Sequence, residues 1–442
     1  MAKLLFASQP GMGHVNPLLS IARRLRSEGH EITFVGTGPE AVQKVIRDAG
    51  FPLAPISPPL SALGFLLLPY ASGFLETLLA CNLFLGDSGH YARAVGRVTD
   101  EVGPAAIVAD FAFPGGHLAA EARGLPYATV YSAGLAYRGP GIPPFGSGLP
   151  IGEDWGWRGR VLQWCVARVQ RRMLAQLTRA RARLGLSRPA GEYFWSSPWL
   201  TLVLTSEAVE APRHPLPAET FFVGPCFAER TGTGTPVPFD RLDGRPVVYV
   251  SLGTVFNRKP RVFERIIGAF EDGRCQLIVS AGGAYPALSR RRWPPHVHLF
   301  AAVPQVDVLP WTDAVISHGG NNTVNETLAS GKPLLVLPVG GEQMDNASRV
   351  VYLKAGLRGH VGDSGSAIRR RTDRLLGEPV FRERAAECAR ALAETGGARV
   401  AAGLIQRLLE TREPVRRPEG FPLTVTRTTG FPWGTPTRDG SQ

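Results

Sequence analysis

Short apolar runs alternate with amphipathic stretches along the first half of the chain. "KLLFAS" (3–8) and "EITFVG" (31–36) are separated by "NPLLSIARRLRSEGH" (16–30), whose apolar residues have helical spacing. Further apolar runs follow at "AAIVAD" (105–110) and "PYATVYS" (126–132). Strand–helix–strand units in this order predict a parallel sheet with helices on its faces.

The same alternation returns after a stretch without periodicity. Five more apolar runs follow it, at 246–254, 276–282, 296–303, 313–320 and 333–341. Because 442 residues exceed what one hydrophobic core usually serves, the sequence predicts an α/β protein with two similar-sized domains facing each other. The predicted boundaries are 1–225 for the N-terminal domain, 226–246 for a Gly-, Pro- and Thr-rich linker, 247–380 for the C-terminal domain, 381–412 for helices that return towards the N-terminal domain, and 413–442 for a disordered tail.

The charge and the cysteines exclude some classes of function. The 49 Lys and Arg against 37 Asp and Glu give a formal net charge of +12, without a zinc-finger spacing or an RNA-reading aromatic motif. We therefore predict no nucleic-acid binding, whereas a nucleotide ligand is consistent with this charge. The five cysteines lie far apart without CxxC or histidine partners, which predicts reduced thiols in the cytoplasm and no zinc site.

Two segments raise the question of a membrane. Polar and small residues interrupt the apolar segment 63–86, which favours buried helices or a pocket wall over a membrane span. Residues 155–191 contain nine arginines and no acidic residue, with helical periodicity. Such a helix either rests weakly on anionic lipid or presents a solvated face. The Pro/Gly-rich loop 139–154 before it is either a lid or substrate wall or a surface excursion.

The stretch "SHGGNNTVNETL" (317–328) reads as a strand end, a glycine-rich loop and the start of a helix. Glycines let the backbone approach an anion, and free N–H groups at a helix N-terminus favour negative charge. His318 adds a hydrogen-bond donor at the rim. The loop predicts a phosphate or diphosphate site; the alternative is a tight turn in which the asparagines cap the helix.

The stretch "VGGEQMDN" (339–346) repeats this arrangement on what should be the adjacent strand end. Its Glu342 and Gln343 offer a carboxylate beside an amide, which suits a polyhydroxylated ring. A phosphate site next to a hydroxyl-binding pair predicts a nucleotide sugar as ligand.

The N-terminal loop "QPGMGHVNP" (9–17) also follows a strand and contains glycines. An NAD site does not fit, because Asn16 takes the place of the third glycine and the second strand ends without an acidic residue. His14 lies near a helix start, whose positive end should favour the neutral imidazole. Asp110 ends a strand of the same sheet and could orient His14 as an acid–base pair; the alternative is a capping or packing histidine.

With these motifs in place, the chain resembles the GT-B UDP-glycosyltransferases of plants and bacteria that modify small molecules. The resemblance runs from about residue 3 to 410 and includes "GMGHVNPLLSIARRL", "FFVGP", "VVYVSLGT", "VPQVDVLP" and "SHGGNNTVNETLASGKPLLVLPVGGEQMDNA". It implies two Rossmann-like domains, with the acceptor in the N-terminal one and the donor in the C-terminal one. It also implies an inverting displacement that needs no metal and no cofactor besides the nucleotide sugar.

The resemblance also implies roles for single residues. His14 would deprotonate the acceptor hydroxyl and Asp110 would orient it. The donor-binding residues implied are Thr254 by the phosphates, Gln305 at the base, His318, Gly320, Asn321, Asn322 and Thr323 around the diphosphate, Glu326 at the ribose, and Glu342 with Gln343 at the sugar hydroxyls.

The donor and acceptor are less narrowly defined. Relatives often have an aromatic residue where this sequence has Ala302, so the base contact differs, and Phe300 is a candidate substitute. Glu326 favours UDP over dTDP, because a deoxyribose offers it one hydroxyl instead of two. The apolar segments 60–91 and 139–154 predict a lipophilic acceptor such as a polyketide, macrolide, phenolic or carotenoid. The alternatives are a glycolipid or carotenoid transferase at a membrane surface and a non-catalytic sugar-nucleotide-binding auxiliary protein.

Overall fold

The computed structural model describes most of the chain. The described residues are 1–57, 87–135, 137, 139–152, 155–187, 196–212, 215–227, 237, 239–253 and 257–433. The predicted pocket wall at 63–86 and the predicted phosphate contact Thr254 lie outside these residues.

The N-terminal domain is built on a seven-stranded sheet in which every strand pair is parallel, in the order β3-β2-β1-β4-β5-β6-β7. Its strands are β1 (Lys3–Ser8), β2 (Glu31–Gly36), β3 (Leu53–Pro55), β4 (Ala106–Asp110), β5 (Tyr127–Tyr131), β6 (Leu200–Val203) and β7 (Thr220–Phe222). Its described helices are α1 (Met12–Ser27), α2 (Glu40–Asp48), α3 (Ser88–Val102), α4 (Pro114–Glu121) and α5 (Gly156–Arg183).

The C-terminal domain repeats this design with a six-stranded parallel sheet in the order β10-β9-β8-β11-β12-β13. Its strands are β8 (Val247–Ser251), β9 (Gln276–Ser280), β10 (Val297–Phe300), β11 (Ala314–Ser317), β12 (Leu334–Val336) and β13 (Gly356–Arg358). Its described helices are α6 (Pro260–Gly268), α7 (Tyr285–Leu288), α8 (Gln305–Val308), α9 (Asn321–Ala329), α10 (Glu342–Tyr352), α11 (Gly365–Gly377) and α12 (Pro379–Ala393), and α13 (Ala398–Thr411) follows them.

Both sheets are covered on two faces, so their strands are apolar throughout rather than alternating. In β1, residues Leu4 to Ala7 are fully buried, and β8 is equally buried between two apolar clusters. Helix α4 lies very close to its sheet, because a Cβ on Gly116 would be 2.9 Å from the side chains of Ala7 and Ala109. The predicted parallel α/β architecture is confirmed.

The C-terminal end of the chain returns to the N-terminal domain. Helix α13 packs its apolar face on α1, and Gln406 Oε1 lies 2.7 Å from His30 Nε2. The prediction of a disordered tail over 413–442 is wrong for residues 413–433. Val425 N–H donates to the Phe222 carbonyl at 2.9 Å and Val425 is fully buried, so the segment pairs with the edge strand β7. Residues 434–442 lie outside the described residues.

None of the helices in the described ranges is both long and apolar enough to cross a membrane.

Candidate active site

His14 and Asp110 meet at the carboxyl end of the first sheet. Strands β1 and β4 are neighbours, so the loop after β1 and the last residue of β4 lie side by side. His14 Nδ1 is 2.9 Å from Asp110 Oδ2, and the Asp110 carboxylate is fully buried. Its other oxygen accepts the Ala112 N–H at 2.8 Å. The pair therefore fixes the tautomer with the proton on Nδ1, which leaves Nε2 as a proton acceptor.

Ser132, just after the neighbouring strand β5, joins this pair. Its hydroxyl donates to Asp110 Oδ2 at 2.8 Å and lies 2.9 Å from His14 Nδ1. Gly11 leaves room for the imidazole, because a Cβ there would be 3.1 Å from His14 Cδ2. Three strand ends thus hold one imidazole in one orientation.

The charge balance at His14 differs from the sequence-based expectation. Burial by itself lowers the pKa of His14, but the Asp110 carboxylate and the more distant Glu342 more than offset it, so the pKa is raised above 6.5. The helix N-terminus was expected to favour the neutral imidazole; the carboxylate in direct contact has the larger effect, because its interaction acts at hydrogen-bond distance. A raised pKa makes the neutral imidazole a stronger base.

This pKa predicts the pH dependence of any reaction in which His14 accepts a proton. Activity requires the neutral imidazole, so kcat/KM should rise with pH and have its inflection above 6.5. In Asp110→Asn the burial stays and the carboxylate is lost, so the inflection should move below the wild-type value. A pH–rate profile of both proteins measures this shift. An unchanged inflection in Asp110→Asn would show that another group controls the profile.

The C-terminal domain presents its own set of strand ends. Strands β8, β11 and β12 are neighbours, so the loops that follow them converge. His318 lies between two glycines: a Cβ on Gly253 would be 2.4 Å from its Cε1, and a Cβ on Gly320 would be 2.7 Å from its Nε2. Burial lowers the pKa of His318 to about 4, so its imidazole is neutral at pH 7. It can therefore donate one hydrogen bond without bringing a permanent charge.

Helix α9 begins directly after Gly320, which has no side chain that could cap its N-terminus. The Glu342 carboxylate, which extends from the first residue of α10, faces the Asn321 N–H. Burial raises the pKa of Glu342, and His14 and this N–H only partly offset it. A carboxylate thus lies where an anion is favoured. The loops at 317–323 and 339–346 are neighbours, as the sequence predicts.

The asparagine side chains of this loop contact the other domain. Asn321 Nδ2 donates to the Ser132 carbonyl at 2.8 Å, and Asn322 Nδ2 donates to the Gly13 carbonyl at 3.1 Å. Pro17 has no N–H for the Gly13 carbonyl in α1, so Asn322 supplies the missing donor. Thr323 is buried in the first turn of α9. These contacts place the α9 N-terminus directly opposite His14.

Gln305 and Glu326 contact each other further along α9. Gln305 Nε2 donates to Glu326 Oε2, and the Tyr249 hydroxyl donates to Gln305 Oε1 at 3.3 Å. Both residues are buried. Phe300 packs into the apolar cluster beneath them, while Ala302 is exposed. The Gln343 side chain is occupied locally, since its Oε1 accepts the Val339 N–H at 3.0 Å.

Comparison with known proteins places the chain in a family. Residues 203–386 match the family model for UDP-glucoronosyl and UDP-glucosyl transferase. The 4'-demethylrebeccamycin synthase of Lentzea aerocolonigenes is 31% identical over 408 residues, which cover 87% of this chain and 94% of the relative. The chain belongs to this family. It is a glycosyltransferase, as the motifs indicated. The zeaxanthin glucosyltransferase of Pantoea ananas is 26% identical over 95% of this chain and 99% of its own length.

A spinosyn rhamnosyltransferase in complex with thymidine diphosphate has a similar structure, with a TM-score of 0.69. The match covers 92% of this chain and 99% of the other at 18% identity, so it bears on the fold alone. The GT-B fold predicted for this glycosyltransferase is confirmed.

Three features of the glycosyltransferase site were missed by the sequence analysis. The first is Ser132. The second is an ion pair between Arg349 of α10 and Glu210, both of which are at most 4% exposed. Arg349 Nη2 also donates to Asn321 Oδ1 at 2.8 Å. The third is Asp345, which the analysis of "VGGEQMDN" left without a role.

Asp345 of the glycosyltransferase binds the Pro/Gly-rich loop 139–154, for which the sequence predicts either a lid or substrate wall or a surface excursion. Its carboxylate accepts the N–H groups of Gly146 and of Gly148, the latter at 2.9 Å. The Gly148 carbonyl in turn accepts from the Ser348 hydroxyl at 3.0 Å and from the Arg358 guanidinium. The loop therefore crosses from its own domain to α10 and closes one side of the cleft.

Proposed function

We propose that this protein is an inverting, metal-independent glycosyltransferase that moves a sugar from UDP-sugar to a hydroxyl group of a lipophilic small molecule. The proposal rests on one juxtaposition: the His14–Asp110 pair lies across the cleft from the N-terminus of α9, held there by the Asn321–Ser132 and Asn322–Gly13 hydrogen bonds. A base and an anion site that face each other suit a displacement between two substrates.

The two sides of the cleft would act on different atoms in the displacement. His14 Nε2 takes the proton of the acceptor hydroxyl, whose oxygen attacks the anomeric carbon from the face opposite the nucleotide. The bond to the diphosphate oxygen breaks, and the negative charge that develops there is stabilised by α9 N–H groups and by His318. These donors supply the stabilisation that a divalent cation supplies in other phosphate chemistry, which supports a metal-independent reaction. Attack opposite the leaving group inverts the anomeric configuration.

Glu342 would contact the sugar. Its carboxylate lies at the α9 N-terminus and close enough to His14 to raise that group's pKa. A diphosphate would take over the Asn321 N–H, which frees the carboxylate to accept hydrogen bonds from sugar hydroxyls. Gln343 already accepts the Val339 N–H within its own loop, so Glu342 is the stronger candidate of these two residues for the contact with the sugar.

A recess beside Glu342 supports a lipophilic acceptor. Its wall is apolar on the N-terminal side, where Leu135, Tyr137, Pro143, Phe145 and Ile151 line it. The other side of the recess is polar, and an apolar wall beside polar groups that orient the ligand is typical of small-molecule sites.

UDP is favoured over dTDP by Glu326, whose buried carboxylate can accept bonds from both hydroxyls of a ribose. The rhamnosyltransferase complex with thymidine diphosphate makes dTDP the competing donor. Calorimetric titration with UDP, dTDP and NAD separates them. We expect saturable UDP binding that weakens about 10-fold or more in His318→Ala, since a hydrogen bond to a charged group is lost. A preference for dTDP would overturn the donor assignment, and binding of neither nucleotide would overturn the donor site.

Turnover tests the reaction itself. Purified protein would be incubated with UDP-sugars and phenolic, macrolide and hydroxylated carotenoid acceptors, in EDTA and in Mg²⁺. Equal rates in both buffers and an inverted anomeric signal in the product's NMR spectrum are the expected results. A requirement for Mg²⁺ or retention of configuration would contradict the mechanism. The second candidate acceptor class is the carotenoids, favoured by the similarity to the zeaxanthin glucosyltransferase over nearly the whole chain.

A further inference from the structure

Helix α5 presents two tryptophans and a valine to solvent. Trp157, Val161 and Trp164 follow one another at helical spacings of four and three, so they share one face. Their exposed fractions are 65%, 53% and 58%. Exposed single apolar residues are ordinary, but large aromatic side chains grouped on one helix face mark an interaction surface.

Arginines surround these residues on the same face. Arg160, Arg168, Arg171, Arg172 and Arg179 are exposed, and the Arg168 guanidinium lies 4.8 Å from the centre of the Trp164 ring. No acidic residue occurs between 155 and 191. Within the described ranges, no carboxylate pairs with these five arginines. Among the residues that the structure describes, this face therefore presents five arginine charges without a paired carboxylate.

The opposite face fixes the orientation of α5. Val166, Met173, Leu177 and Ala180 are buried at helical spacing, and the last two pack in an apolar cluster with α3 and α4. At its end, Arg181 forms a two-point ion pair with Glu121 at 2.6 and 2.9 Å. The helix cannot turn its basic aromatic face inward without losing this packing.

We propose that the outer face of α5, formed by Trp157, Val161, Trp164 and the five arginines, docks on an anionic lipid bilayer. Indole rings sit favourably at the boundary between headgroups and acyl chains, where the ring is apolar and the N–H is hydrated. Guanidinium groups pair with lipid phosphates at the same depth. A helix that lies flat in this way needs no membrane-crossing length. A solvated helix would gain nothing from the exposed tryptophans.

Docking through α5 would bring the acceptor recess to the bilayer. Gln170 of α5 and Ile151, a few residues before the helix, both line the recess beside Glu342. A lipophilic acceptor dissolved in the membrane would then have a short path into the cleft. This step rests on the proposed function, whereas the docking itself rests only on the surface of α5 and is measured without turnover.

Co-sedimentation of the full-length protein with vesicles tests the docking. We expect binding to phosphatidylglycerol/phosphatidylcholine vesicles at low salt, weaker binding at high salt, and little binding to pure phosphatidylcholine. The triple variant Arg160→Gln, Arg171→Gln, Arg172→Gln should lower the partition coefficient about 100-fold, at roughly fivefold per arginine. Trp157→Ala with Trp164→Ala should lower it while the salt dependence remains.

The matched control removes three charges elsewhere. Arg290, Arg291 and Arg292 are exposed on the C-terminal domain, and their change to Gln lowers the net charge equally. It should leave vesicle binding near the wild-type level if the α5 face is the contact. UDP titration verifies folding of every variant. Wild-type protein that stays in the supernatant, or equal losses in the two arginine triples, would overturn the proposal; the first result would then favour a soluble polyanion or protein partner for this face.

Discussion

Replacing His14 with alanine is expected to lower kcat/KM for O-glycosyl transfer by about 10³-fold and to leave UDP affinity unchanged. The imidazole is the only side chain that the Asp110–Ser132 pair orients towards the α9 N-terminus among the described residues. Without it, the acceptor hydroxyl has to lose its proton to water during attack. The measurement is initial transfer rate against acceptor concentration, with UDP affinity from calorimetry.

His318→Ala is the matched control for this variant. Both histidines are on the cleft, but His318 belongs to the C-terminal domain and is neutral at pH 7, because its pKa is about 4. The two substitutions should change different quantities. His14→Ala should lower the rate of transfer and leave UDP affinity unchanged, whereas His318→Ala should lower UDP affinity. A His14→Ala enzyme with full activity would remove the imidazole from the mechanism. Equal loss of UDP affinity in both variants would mean that the two walls do not act separately.

The sequence correctly predicts which residues lie close together after the strands, because all strands of a parallel sheet have their carboxyl ends at the same edge. That rule, applied to "AAIVAD" and "GMGH", is enough to pair Asp110 with His14 once the two strands are neighbours. The same rule brings the loops at 317–323 and 339–346 together. Apolar runs with glycine-rich ends therefore predict the general positions of the site residues from local pattern alone.

Contacts between the domains could not be predicted in this way. Asn321 contacts Ser132 and Asn322 contacts Gly13 across nearly 200 and more than 300 residues of chain. A local pattern at Asn321 is compatible with a helix cap or an anion site, and only the relative position of the domains decides its partner. The tail was misjudged for a similar reason. Its Pro, Thr and Arg content predicts disorder, but β7 offers an open edge that its backbone pairs with.

The second large effect is expected in Arg349→Met. Arg349 is 3% exposed and pairs with Glu210, which is 4% exposed, so the substitution takes the cation from a buried carboxylate. We expect the free energy of unfolding to fall by about 3–5 kcal/mol. Urea denaturation followed by fluorescence measures the loss. The combined variant Glu210→Gln, Arg349→Met removes both charges and should recover more than half of the lost stability.

An exposed ion pair provides the control for Arg349. Arg374 in the last turn of α11 pairs with Glu378 just after the helix; their exposed fractions are 55% and 43%, and water screens such a pair well. Arg374→Met should leave the unfolding midpoint where it is. If Arg349→Met also leaves it unchanged, the buried pair does not stabilise the contact between the domains.

Arg349→Lys separates stability from catalysis. Lysine keeps a positive charge beside Glu210, but its single ammonium group cannot also hold Asn321 Oδ1 in the planar geometry of a guanidinium. Asn321 joins the α9 N-terminus to Ser132, and Ser132 contacts both His14 and Asp110. We therefore expect Arg349→Lys to unfold closer to wild type than Arg349→Met and still to lower kcat about 100-fold, since an error of about 1 Å in the reacting geometry costs about that much. Wild-type kcat in Arg349→Lys would show that charge alone, rather than the hydrogen bond to Asn321, sets the distance between the two walls.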